Sequence, residues 1–115
     1  MQIGPETYLV EDPGNPSLDD FLNHSCDPNL GFVEGSLTLY ALRDIESDEE
    51  VVFDYSTSMN EPGWAIRCRC RVPTCRGAVR SYCDLPRRHR LRLRGLALAY
   101  LRRGSSRPRS TRKRA

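Results

Sequence analysis

The chain has 115 residues, 38% of them hydrophobic, and a formal net charge of +3. That length allows one small domain, and no stretch approaches the ~18 apolar residues of a membrane span. The start, Met1-Gln2-Ile3-Gly4-Pro5-Glu6, lacks the basic and apolar regions of a secretory signal, so no membrane partner is expected and the location is read as cytoplasmic, or nuclear in a eukaryote.

The modest apolar share predicts a small core that a bound metal or cofactor would help to hold. The net charge conceals a division. Residues 1–60 carry thirteen Asp/Glu against one Arg, whereas residues 61–115 carry seventeen Arg/Lys against two Asp/Glu. Sixteen of those cations are Arg, the side chain suited to bidentate contact with phosphates or carboxylates. Either the basic half meets a polyanion or the two halves neutralise each other within the fold; for the extreme tail a binding role is expected.

In chain order, residues 1–16 read as a strand end and a loop around Tyr8-Leu9-Val10. Ser17-Leu18-Asp19-Asp20 has the form of a helix start with Ser17 as cap, followed by buried Phe21 and Leu22. Asp27-Pro28-Asn29 stops any helix, because the residue before proline avoids the helical region. Leu37-Thr38-Leu39-Tyr40-Ala41-Leu42 and Val51-Val52-Phe53 read as two strands joined by the acidic turn of residues 44–50. Residues 56–67 read as loop, with Trp64 the only tryptophan, and residues 68–77 are too rich in Cys, Arg and Pro for a regular element. After Pro86, the apolar positions Leu91, Leu93, Leu96, Leu98, Tyr100 and Leu101 predict one helix to about Arg103, ended by Gly104. Residues 104–115 are expected to be a disordered basic tail and a possible nucleic-acid contact.

Five cysteines in a reducing compartment point to metal before disulfides. Cys68-x-Cys70-x4-Cys75 places three thiols close enough for one ion, and a structural zinc site wants four ligands. Cys26, Cys83 and a histidine are the candidates for the fourth. Arg67, Arg69, Arg71 and Arg76 stand nearby and are expected to lower the thiol pKa values.

Three motifs in order, Asn23-His24-Ser25-Cys26-Asp27-Pro28-Asn29, Phe53-Asp54-Tyr55 and Cys68-x-Cys70-x4-Cys75-Arg76-Gly77, resemble the SET-domain protein-lysine methyltransferases with a post-SET cysteine segment. The likeness runs from about Tyr8 to Gly77. It implies a mostly β fold, the carboxy-terminal part of a SET-type β-clip, with a post-SET zinc loop and a carboxy-terminal α-helix. The corresponding divisions are a partial SET domain at 1–67, a zinc segment at 68–84, a helix at 85–103 and the tail. By the same resemblance Asn23 and His24 would contact S-adenosylmethionine, and Cys26 would join Cys68, Cys70 and Cys75 on zinc. Tyr55 would be the catalytic tyrosine, and Phe53 would line the lysine channel and favour di- or trimethylation. Trp64 would wall the cofactor or peptide site, or else serve as an ordinary core side chain. The substrate implied is a basic, lysine-containing protein segment, which the acidic half could attract.

Three departures accompany the likeness. The family's Gly-x-Gly cofactor loop does not occur, so the family's amino-terminal half is expected to be missing. Asp48 stands where the family commonly has glycine before the Glu pair, and a left-handed turn suits Asp less well than Gly; Arg71 replaces the glycine common after the second post-SET thiol. The chain is therefore read as a lysine methyltransferase or as a non-catalytic, zinc-stabilised remnant that binds partners through its Arg-rich tail.

Overall fold

The computed structural model describes residues 1–8, 14, 22–33 and 36–104. The expected helix start at Ser17, the residues Leu9, Val10 and Phe21, and the tail beyond Gly104 lie outside these. The described elements are short: β1 (Gln2–Gly4), β2 (Thr7–Tyr8), β3 (Asn23–His24), β4 (Leu30–Phe32), β5 (Leu39–Ala41), β6 (Val52–Phe53), β7 (Ala65–Arg67), β8 (Ala78–Arg80), α1 (Arg87–Leu93) and α2 (Ala99–Gly104). Three pairs are antiparallel, β1 with β2, β4 with β5, and β7 with β8, whereas β3 and β6 run parallel. Small strands with short carboxy-terminal helices thus make up the fold.

The two apolar runs read as strands are strands, over Leu39–Ala41 and Val52–Phe53, but they do not pair with each other. β5 pairs with β4 in the register Leu30↔Ala41 to Phe32↔Leu39, and the acidic segment between β5 and β6 closes with Glu49 N–H donating to the Glu46 carbonyl. Gly31 is needed in that ladder because a Cβ there would sit 2.9 Å from Leu96 Cδ2, so glycine lets the carboxy-terminal segment approach the hairpin.

Residues 56–67 are not a plain loop. A 3-10 turn covers Tyr55–Thr57, with the Asp54 carboxylate accepting from Ser56 N–H, and β7 occupies Ala65–Arg67. The single helix expected to Arg103 is also broken. α1 ends at Leu93, a 3-10 turn spans Arg94–Leu96, Ala97 is extended, and α2 begins at Ala99. The apolar positions explain this: intervals of two, as between Leu96, Leu98 and Tyr100, would wrap around a continuous helix. Gly95 weakens the helix at that point, and the break buries Leu98, Tyr100 and Leu101 together while Leu91 stays 55% exposed.

The core gathers Phe32 and Phe53 from the strands with Tyr82, Leu85, Leu93, Leu98, Tyr100 and Leu101 from the carboxy-terminal third. Phe32 and Phe53 meet edge to face, their centroids 5.7 Å apart. The Leu98 N–H donates to the Thr57 carbonyl at 2.9 Å, and the Tyr100 hydroxyl donates to the Ser58 carbonyl, so α2 is pinned to the segment after Tyr55. The core therefore lies directly behind the residues singled out for function. No helix among the described residues is long and apolar enough to cross a membrane.

Candidate active site and metal centre

Parallel pairing places Asn23 opposite Val52 and His24 opposite Phe53, so the Asn-His and Phe-Asp-Tyr motifs run side by side. Pro28 cannot donate to a ladder, and Asn29 takes over with its side chain. Only 1% exposed, Asn29 accepts from Val52 N–H at 2.9 Å and donates to the Glu50 carbonyl at 2.9 Å. Beside this pair opens a cleft of about 650 Å³ lined by Asn23, His24, Tyr55, Cys68 and Cys70 among others. Its lining also includes the carboxylates Asp27, Glu49 and Glu50 and the cations Arg43, Arg67 and Arg69, of which Arg43 is paired with Glu49. The Asn23 amide donates to Glu50 at 2.6 Å.

His24 faces two ways. Its Nδ1 accepts from Tyr55 N–H at 3.0 Å and its Nε2 lies 3.4 Å from Cys26 Sγ. An accepting Nδ1 puts the proton on Nε2, which then donates to the thiol sulfur. Burial pushes the His24 pKa below its ordinary value, which favours that neutral tautomer at pH 7. The Tyr55 hydroxyl donates to the Leu22 carbonyl at 2.7 Å, leaving its oxygen lone pairs as acceptors. Burial, and then the Glu50 carboxylate, raise the Tyr55 pKa, so the hydroxyl stays protonated. Its ring packs on Phe53 at 5.0 Å and on His24 at 5.3 Å between centroids.

Cys26, Cys68, Cys70 and Cys75 bring their sulfurs within 4.8 Å of one another, so Cys26 is the fourth thiol. The Cys26–Cys68 separation of 3.8 Å equals the edge of a tetrahedron with ~2.3 Å metal–sulfur bonds, about 3.8 Å. The donor set and its spacing fit zinc. Cys83 stands apart, exposed, its thiol raised to about 11 by burial of the sulfur and by Asp84. The expected influence of four arginines on the thiols reduces to one, Arg76, which donates its N–H to Cys26 Sγ at 3.4 Å. Burial nevertheless raises Cys26, and raises Cys68 to about 12. Cys70 comes down to about 6 against the same burial because the N–H groups of Cys26 and Val72 and the neighbouring thiols stabilise its thiolate. At Cys70, then, backbone amides and neighbouring thiols rather than guanidinium groups favour the thiolate.

Of the residues expected at the site, Asn23, His24, Tyr55 and the four thiols come together. Phe53 does not line the cleft; it is 5% exposed in the core, behind Tyr55. Trp64 is half-buried and is neither in the cleft wall nor in the core cluster. Asp48 needs no left-handed backbone, whereas Arg71 adopts φ +63°. The pairing of two residues is missed in the sequence: Asp54 is given no role of its own there, and Arg76 is expected only to act on the thiols. They form a bidentate pair at 2.8 and 3.0 Å, with side chains 0% and 7% exposed. The available signal was a carboxylate inside an apolar strand end and an arginine directly after the last clustered thiol.

A parallel strand pair brings Asn-His beside Phe-Asp-Tyr next to four clustered thiols, and residues 3–56 match the family model described as SET domain. The chain is a SET-domain protein, with a four-cysteine cluster of the post-SET kind. It is 40% identical over 65 residues to the histone-lysine N-methyltransferase ash1 of Drosophila melanogaster, covering 51% of this chain and 3% of that protein. It is 38% identical over 78 residues to an H3 lysine-4 specific histone-lysine N-methyltransferase of Schizosaccharomyces pombe, covering 63% of this chain and 8% of the relative. A relative of the same description from Emericella nidulans is 43% identical over 82 residues, covering 63% of this chain and 6% of its own length. The chain thus spans a small fraction of these curated relatives. No solved structure matches it significantly.

Proposed function

We propose that the chain is a portion of a SET-type β-clip that transfers a methyl group from S-adenosylmethionine to a lysine side chain of a basic protein substrate. A histone H3 tail in the nucleus is the proposed target, in line with the relatives. The observation that carries this reading is the cleft of about 650 Å³ in which Asn23, His24 and Tyr55 converge beside the cysteine loop. Zinc is assigned to Cys26, Cys68, Cys70 and Cys75 in a structural role, closed to substrate because all four positions are thiols. The cofactor is assigned to the wall formed by Asn23 and His24.

When bound, S-adenosylmethionine supplies an electrophilic methyl on a sulfonium. The lysine lone pair would form the new N–C bond as the S–C bond broke, the S–C electron pair would remain on sulfur, and the surplus amine proton would leave to solvent. The chain's contribution is alignment and exclusion of water. Because the Tyr55 proton is committed to Leu22, the Tyr55 oxygen can accept an amine N–H and turn the nitrogen lone pair toward the methyl. The lysine must react as the neutral amine, a form that desolvation against Tyr55 in the substrate complex would favour. Phe53 stands behind Tyr55, outside the cleft lining, and a side chain without a hydroxyl there is proposed to bring no water toward the lysine site and so to favour di- or trimethylation.

The full chain, loaded with zinc, is tested by calorimetry with S-adenosylmethionine and by label transfer to histone H3. Binding and transfer, with transfer lost in Tyr55→Phe, are expected. A folded, zinc-loaded chain that takes up no cofactor would refute the proposal.

A second reading, a zinc-stabilised binding module, has one observation in its favour. Arg87, Arg88, Arg92 and Arg94 are exposed, and none has a carboxylate partner among the described residues. With residues 104–115 they would contact nucleic-acid phosphates, and affinity must then fall as salt rises.

A further inference from the structure

The pair Asp54–Arg76 does more than neutralise two buried charges. Asp54 immediately precedes Tyr55 and caps its 3-10 turn by accepting from Ser56 N–H at 3.0 Å. Arg76 immediately follows Cys75 and gives its N–H to Cys26 Sγ at 3.4 Å. The guanidinium holds both carboxylate oxygens and also donates to Ser56 Oγ at 3.2 Å. From Tyr55 the path returns to the thiols through His24, whose ring spans Tyr55 N–H at 3.0 Å and Cys26 Sγ at 3.4 Å. A closed ring of bonds therefore joins the cysteine cluster to the tyrosine.

Stability alone is a poor reason for such a ring. Desolvating two charges offsets most of their attraction, and an apolar pair of similar volume is often as stable. Arg76 even leaves its Nε buried without a hydrogen-bond partner among the described residues. What an ion pair adds over an apolar one is direction: two parallel hydrogen bonds fix a guanidinium against a carboxylate in one orientation.

We infer that Asp54 and Arg76 are positioning residues that convert closure of the cysteine loop around its metal into the placement of Tyr55. This deepens the methyl-transfer reading and rests on it for its consequence, but the coupling itself is a property of the folded chain. When the four thiols are gathered, the Arg76 backbone is set by its neighbour Cys75 and by Cys26. Its guanidinium then fixes Asp54, and Asp54 fixes the turn that begins at Tyr55. With the loop open, Asp54 loses its partner and the turn loses its anchor.

The test uses the full chain labelled with 3-fluorotyrosine, the Tyr55 signal being assigned by its absence in Tyr55→Phe. Zinc is titrated while metal stoichiometry is measured in parallel. In the unsubstituted chain the Tyr55 fluorine signal is expected to move with zinc uptake. In the apolar pair Asp54→Leu with Arg76→Met, one zinc per chain is expected to bind while the signal no longer follows it. Arg76→Lys, which retains a cation but not the fork, is expected to restore part of the response and serves as the readout if the double variant does not fold. With S-adenosylmethionine and an H3 peptide, kcat of the double variant is expected to fall tenfold to a hundredfold, of the order that small misplacements cost. Both KM values should stay within about twofold. A Tyr55 signal that follows zinc equally in the unsubstituted chain and in Arg76→Lys or the double variant overturns the inference. A zinc-coupled signal in a chain that never transfers methyl overturns the methyl-transfer reading and leaves the coupling standing.

Discussion

Arg71 offers a clean perturbation of the metal loop. It is the one non-glycine residue with positive φ among the described residues, at +63°, and its side chain is exposed. An L side chain in that region costs about 1–2 kcal/mol. Glycine relieves the strain but returns about 0.5–1 kcal/mol through the greater freedom of the open chain. The net gain for Arg71→Gly is about 0.7 kcal/mol, a factor of about three in an equilibrium constant. Since Arg71 directly follows Cys70, the gain should appear in loop closure and hence in zinc affinity. Arg71→Ala is the control, because it removes the same positive charge and keeps the strain. Competition against a chromophoric chelator is expected to show Arg71→Gly binding zinc about threefold more tightly than Arg71→Ala. Equal affinities, or weaker binding by the glycine variant, would refute the strain argument.

Phe32→Ala should cost about 3–5 kcal/mol in urea unfolding, since the ring is 0% exposed and packs edge to face on Phe53. Phe32→Leu should cost far less, because most of the volume remains. Glu49, held to about 2 chiefly by the hydrogen bonds from Arg43, should stay ionised in a carbon-13 titration well below the ordinary carboxylate range. Its folded pKa is depressed, so its contribution to stability is present above about 4.5 and is lost as pH falls toward about 2; Arg43→Ala should move the titration up. Thiol labelling of the zinc-loaded chain should count one slow-reacting cysteine, Cys83, and chelation should raise the count to five. For Phe53→Tyr, mass spectrometry of the product peptide should show a shift from di- or trimethyl toward monomethyl lysine.

The sequence was most legible where chemistry is local. Three thiols within eight residues announced a metal site, and the Asn-His and Phe-Asp-Tyr motifs announced which residues belong to one candidate site. The fourth thiol was harder, because Cys26 is 42 residues from Cys68 and spacing alone left Cys83 and histidine as equals. Strand partners were not readable either: β5 and β6 each looked like half of a hairpin, and tertiary packing assigned both to other segments. The broken carboxy-terminal helix could have been read from the two-residue intervals among its leucines. Asp54 and Arg76 were hidden for a different reason. Each looked like part of a neighbour's motif, and only their separation across 22 residues of chain, closed in the fold, shows that they belong to each other.

That 42-residue interval between Cys26 and Cys68 also has a consequence in time. At ~5–20 residues per second, a ribosome releases Cys26 roughly 2–8 s before it has made Cys68. During that interval the Asn-His segment is already present and its parallel partner β6 is made partway through, while Arg76 and three of the four thiols are still to come. The turn at Tyr55, the Asn23–His24 strand and the cysteine loop cannot all be completed one by one as the chain emerges, because hydrogen bonds link them. They must assemble together, after the last cysteine, which makes the final third of the polypeptide the step that commits the whole centre.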